Sequence, residues 1–218
     1  ERVPIPDFRT IASTPTRRPS PDLLDTIYLC QQRQEWYRDF ARTMGEAPLR
    51  LVGSARVTDD VVTAAAAMRG VLGFNLDERR RLPTWTEALR RFIDQADGLS
   101  ILVMVSGVVG SNNRRRLDAE EFRGFALADP LAPLVFVNGA DTKAAQMFTL
   151  AHELAHVWLG ETAVSNAQAS DAPQHDVERW CNQVAAELLV PLAALRETYD
   201  RNAALDAEVD RLARRFKV

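Results

Sequence analysis

Cysteine, histidine and long apolar runs are scarce in this chain, and each scarcity excludes something. Two cysteines in 218 residues, Cys30 and Cys181, cannot build a disulfide framework, so a reducing compartment is favoured and a cytoplasmic location is expected. The longest branched apolar run, Ile101-Leu102-Val103-Met104-Val105, falls far short of the ~20 residues that a membrane-spanning helix needs. No signal peptide is visible, and no membrane partner is expected. A dominant charge is also missing: 27 basic and 30 acidic side chains leave a net charge of −3. That balance offers no global attraction to a polyanion, so direct nucleic-acid binding by this segment is not expected. The runs Arg79-Arg80-Arg81 and Arg114-Arg115-Arg116 are short and read as solvated faces or loops. An apolar fraction of 46% and a charged fraction of 26% suit a globular fold of one large or two small domains. The chain opens on Glu1 rather than Met and reads as part of a longer protein.

Only three histidines are present, and two of them frame a glutamate in Phe148-Thr149-Leu150-Ala151-His152-Glu153-Leu154-Ala155-His156. Positions i and i+4 of a helix lie one above the other on one face, so both imidazoles can reach a single point. Two neutral imidazoles at that spacing supply two corners of a tetrahedral Zn²⁺ site. The acid beside the first histidine then sits next to the metal without binding it, where it can take a proton from water.

The rest of the chain organises around this segment. Residues 1–21 hold five of the eleven prolines and read as an extended arm or linker. Residues 22–98 read as a helical region. Asp22 caps a long amphipathic run to about Met44, Thr58-Asp59-Asp60 caps an alanine-rich helix ending at Gly70 or Gly73, and Pro83-Thr84 opens another that stops near Asp97-Gly98. Residues 99–218 read as the core that carries the chemistry. Leu99 to Val105, Phe122 to Leu127 and Leu134 to Val137 are strand candidates. Asp141 or Thr142 caps the histidine helix, which Gly160 stops. A polar loop is expected over 161–173, then a helix from Gln174 to Val190, and two short helices around 192–199 and 204–215. The fold class is therefore α+β, a small sheet over the histidine helix preceded by a helical region.

A catalytic zinc site needs three protein ligands and one open position. His175, Glu178 and Glu187 are the downstream candidates for the third. Glu178 is favoured because it begins the next long helix, which can pack antiparallel to the first with this carboxylate facing it. His175 could serve instead, or could act as a helper near the open position. Glu187 lies about 13 Å further along the helix axis than Glu178, so a solvent-exposed or capping role is expected for it. Asn182 is one turn beyond Glu178, where it could accept a bond from the free ring N–H of a ligand histidine and fix its tautomer. In the mechanism that follows, Glu153 accepts a proton from metal-activated water and returns it to the leaving amine. His175, Arg123 and Tyr199 have the chemistry to stabilise the developing oxyanion, and spacing selects none of them.

Phe122-Arg123-Gly124-Phe125-Ala126-Leu127, Ala132-Pro133-Leu134-Val135-Phe136-Val137-Asn138, the histidine segment, and Glu178-Arg179-Trp180-Cys181-Asn182-Gln183-Val184-Ala185-Ala186-Glu187-Leu188-Leu189-Val190-Pro191 together resemble the core of the ImmA/IrrE family of zinc metallopeptidases. Cys181, Val184 and Val190 depart conservatively from that family's usual second signature. Ile5-Pro6-Asp7-Phe8-Arg9 and Gln32-Arg33-Gln34-Glu35-Trp36 resemble longer members, which carry an XRE-type helix-turn-helix domain ahead of this region. The resemblance implies a gluzincin-like site with His152, His156 and Glu178 as ligands and Glu153 as base. It also implies a regulatory role in stress response or mobile-element control, exercised by cleaving a repressor, which makes an XRE-type repressor the expected protein substrate. It further implies a sheet whose edge strand can pair with an extended substrate. Phe122–Leu127 is the expected edge, with Gly124 letting a backbone come close. A non-proteolytic regulatory or sensor module that binds a repressor, nucleic acid or small ligand is the competing reading, and homodimerisation is left open.

Overall fold

A computed structural model of the chain describes residues 18–165 and 174–218. Four helices come first: α1 (Pro21–Thr43), α2 (Val61–Leu72), α3 (Leu76–Arg81) and α4 (Trp85–Asp97). Their boundaries follow from local chemistry. The Ser20 hydroxyl accepts from Leu23 N–H and starts α1, one residue pair earlier than Asp22 would. Asp60 caps α2, and Gly73 closes it at φ 65°, a backbone angle that costs glycine little. Thr84 and Glu87 form a reciprocal capping box that opens α4. Helix α3 was not evident in the sequence, being six residues long and too short to show a period.

The sheet follows: β1 (Leu102–Ser106), β2 (Val108–Val109), β3 (Asn112–Arg116), β4 (Gly124–Leu127) and β5 (Leu134–Asn138). Then come α5 (Lys143–Leu159), β6 (Ala163–Ser165), α6 (Gln174–Leu189), α7 (Leu192–Thr198) and α8 (Leu205–Phe216). The main sheet has the order β1-β5-β4-β6, with β1 parallel to β5 and the other pairs antiparallel. Strands β2 and β3 form a separate hairpin. The molecule is thus α+β, with the small sheet packed on α5.

Two expectations are corrected here. The segment Phe122–Leu127 is not an edge, because β4 is paired on one side with β5 and on the other with β6. Its second neighbour is not legible in the sequence because β6 spans three residues, within a stretch that reads as loop. The arginine runs are not simply solvated either. Arg79 is buried, donates from Nη2 to Leu189 O at 2.7 Å and lies 4.7 Å over the Phe74 ring. It caps the carboxyl end of α6 while burial presses its pKa down to about 9. Arg115, on β3, reaches Asp22 and Asp25 of α1 at 2.6 and 2.7 Å.

The period-2 alternation of β4 and β5 divides the apolar interior in two. Phe125, Leu127, Leu134 and Phe136 face α1, where they meet Leu23, Ile27 and Cys30. Ala126, Val135 and Val137 face the other way, onto Leu150, Ala151 and Leu154 of α5. Met68 and Leu72 of α2, Phe92 of α4 and Val184 and Leu188 of α6 belong to that same second cluster. The α1–α2 connection completes the packing at the far end of α5. Gly53 N–H donates to Val157 O at 3.2 Å and Ala55 N–H to Trp158 O at 2.9 Å, supplying partners to carbonyls that a helix end leaves open.

Candidate metal centre

Helix α5 is capped at both ends, which fixes where its side chains emerge. Thr142 accepts from Ala145 N–H at the start, and Gly160 takes φ 74° at the end. His152 and His156 are one helical turn apart and both buried. Their Nε2 atoms approach to 3.1 Å. The facing helix α6 brings Glu178 to them, with Oε2 at 3.2 Å from His152 Nε2 and Oε1 at 3.0 Å from His156 Nε2. Among the described residues, His152, His156 and Glu178 are the histidine, cysteine and acid side chains that converge tightly enough to hold an ion.

The donor set fits a metal. A tetrahedral ion with bonds of about 2.0–2.2 Å has ligand-to-ligand edges of roughly 3.3 Å, and the three separations here are 3.0, 3.1 and 3.2 Å. The charges agree. Burial lowers the pKa of His156 against the opposing pull of Glu178, so its imidazole stays neutral, as a ligand must be. Burial opposes the charge on Glu178, yet the two imidazoles at its oxygens win and bring its pKa down to about 2. Two imidazole nitrogens and one carboxylate oxygen match a divalent cation that tolerates mixed ligands.

Glu153 is fully buried beside His152 on α5. Asn182 lies one turn beyond Glu178 and is half-buried. Glu187 is not part of the cluster: its Oε2 accepts from Leu192 N–H at 3.0 Å and so caps α7, as its distance along α6 suggested. His175 has its side chain outside the described residues. Arg123 turns toward Asp141, at 3.7 Å, just ahead of the first turn of α5 and roughly 15 Å of helical rise before His152. Tyr199 ends α7 with its ring substantially exposed. The geometry therefore selects neither of these two as an oxyanion donor. Cys181 is buried in the core with its thiol pushed up by burial and then by Glu178 and Glu153, so it stays protonated and inert.

A sheet laid on a helix with two inward imidazoles, and a third donor on the next helix, defines a metallopeptidase type of core. Residues 96–218 match the peptidase M78 family, described as the IrrE N-terminal-like domain, and the chain belongs to this family. A stretch of 95 residues is 30% identical to the radiation response metalloprotease IrrE of Deinococcus radiodurans, covering 41% of this chain and 29% of that protein. The match thus spans less than a third of the relative's length. Among the described residues, no helix is long and apolar enough to cross a membrane.

Proposed function

We propose that the chain is a zinc-dependent endopeptidase that cleaves a protein partner, with an XRE-type repressor as the substrate class. The observation that carries this reading is the convergence of His152 Nε2, His156 Nε2 and a Glu178 carboxylate to mutual distances of 3.0–3.2 Å beside the fully buried Glu153. When bound, the ion supplies Lewis acidity and lowers the pKa of a water toward neutrality. Glu153 takes the proton of the attacking water and delivers it to the departing amine. Asn182 steadies the ligand imidazoles from one turn along α6. Residues 22–98 serve as a helical brace on a core of residues 99–218; the arm expected over 1–21 lies almost wholly outside the described residues. A regulatory role in stress response is supported by the name of the Deinococcus relative, a radiation response metalloprotease, and a cytoplasmic location by the two free cysteines.

The test is incubation of the metal-loaded chain with candidate repressors, alongside Glu153→Gln. Cleavage by the parent should fall by about 10²–10⁴-fold in the variant, and a chelator should abolish it. Equal cleavage by both would remove Glu153 from the reaction. Binding of the repressor with no cleavage by either would favour a non-proteolytic module. Metal analysis of the purified chain separates zinc from manganese or iron, which the same ligands accept.

A further inference from the structure

The face of β4 that looks onto α5 carries Gly124 and Ala126, two of the smallest side chains, while the opposite face carries Phe125 and Leu127. Ala126 is explained by close packing of sheet on helix. Gly124 asks for more. Its backbone is not in the left-handed region, so conformation does not require glycine there. Space does. A Cβ at this position would lie 2.6 Å from Thr149 Cγ2, 2.7 Å from Phe136 O and 3.0 Å from Glu153 Oε1. Thr149 and Glu153 are separated by one turn of α5, so they present to β4 along a single strip. The room left by the missing side chain is bounded by Thr149 Cγ2, Phe136 O and the Glu153 carboxylate.

We propose that Gly124 is a positioning residue for Glu153: the absent side chain forms the cradle that holds this buried carboxylate beside the metal ligands. Glu153 as proton carrier rests on the reading above, whereas the cradle itself can be tested without any cleavage. A Cβ at 124 meets the carboxylate of Glu153 and none of the three ligands among its nearest atoms. Substitution should therefore displace the base while leaving the metal in place. A base that works by proton transfer must stay within about 2.6–3.2 Å of its partner, so a shift of a few tenths of an ångström matters here.

The experiment is a double-substitution cycle on the chain as purified, with Gly124→Ala, Glu153→Ala and both together, read by thermal unfolding. Overpacking should lower the Tm of Gly124→Ala by roughly 4–8 °C. In the Glu153→Ala background the same change should cost measurably less, because the carboxylate it displaces is gone, with the remaining loss due to Thr149 Cγ2 and Phe136 O. Zn²⁺ affinity of Gly124→Ala should stay within about threefold of the parent. Equal Tm losses in both backgrounds would overturn the proposal, since Gly124 would then serve the strand alone. A Zn²⁺ affinity lowered more than tenfold would also overturn it, by placing Gly124 under the ligands. If Gly124→Ala does not fold but the double variant does, the coupling is established directly. If neither folds, the clash with Phe136 O sets the requirement for glycine and the proposal fails.

Discussion

Helices α1 and α5 pack on opposite faces of the same sheet and differ in how much of themselves they bury. Of 17 residues in α5, twelve are buried, including Gln146, Thr149, His152, Glu153 and His156. Of 23 in α1, six are, and five of those lie in its first ten residues. A helix enclosed on nearly every side has its side-chain directions decided by neighbours, which is what a metal ligand requires. Helix α1 buries its apolar side chains near one end and is tied further along by polar contacts, Gln34 donating to Leu127 O and Ala132 O at 2.8 Å and Arg38 pairing with Asp129 at 3.1 Å. Its outer half displays Trp36, Phe40 and Met44, with the Trp36 and Phe40 rings stacked 6.0 Å apart on each other.

Substitutions on the two helices should have very different consequences. His156→Ala on α5 should have the largest effect, lowering metal affinity by more than about 100-fold. Chelator competition measures it, and an unchanged affinity would take α5 out of the site. Leu23→Ala on α1 should destabilise by about 2–4 kcal/mol through lost burial, with metal affinity unaltered. Urea unfolding with a parallel metal titration checks both halves of that statement.

Acid should act through α5 and α6. The metal-free chain should lose stability as pH falls below the usual histidine value near 6.5, because the unfolded chain gains a proton at His156 that the folded one resists. It should lose more between pH 4.5 and about 2, the range over which the Glu178 carboxylate is kept charged only in the folded state. Glu178→Gln should flatten this second portion of the unfolding profile. A profile of unchanged shape would contradict the imidazole–carboxylate cluster.

Smaller effects remain. Gly160→Ala should cost about 1–3 kcal/mol, as Gly160 has φ 74° and an added Cβ would lie 3.1 Å from Gly53 Cα. Trp36→Ala should shift stability by no more than about 0.5 kcal/mol, its side chain being 70% exposed. A loss of several kcal/mol there would mean that the outer half of α1 is held by contacts not recognised above.

What could be read from the chain alone depended on how local the controlling physics is. The histidine helix was legible because its caps, its period and its two ligands all fall within 19 consecutive residues, from Thr142 to Gly160. Strands β4 and β5 were legible from their apolar runs, since both faces are buried. The β2–β3 hairpin was not: Asn112-Asn113-Arg114-Arg115-Arg116 is largely exposed and has no apolar alternation to betray it. Arg79 looked like one of three solvated cations, and only the placement of Leu189 O and the Phe74 ring makes its burial tolerable. Glu178 was favoured through the expected antiparallel packing of two helices, although spacing alone could not exclude His175.

Sequence by itself determined the histidine helix, its two imidazoles and the acid between them, because hydrogen bonding over a few residues sets which side chains share a face. Tertiary structure alone decided that Glu178 meets the two imidazoles, that β6 covers the flank of β4, and that Gly124 lies against Glu153. Those outcomes depend on contacts between segments distant in the chain, where close packing and the need to pair buried charge, rather than local propensity, make the choice.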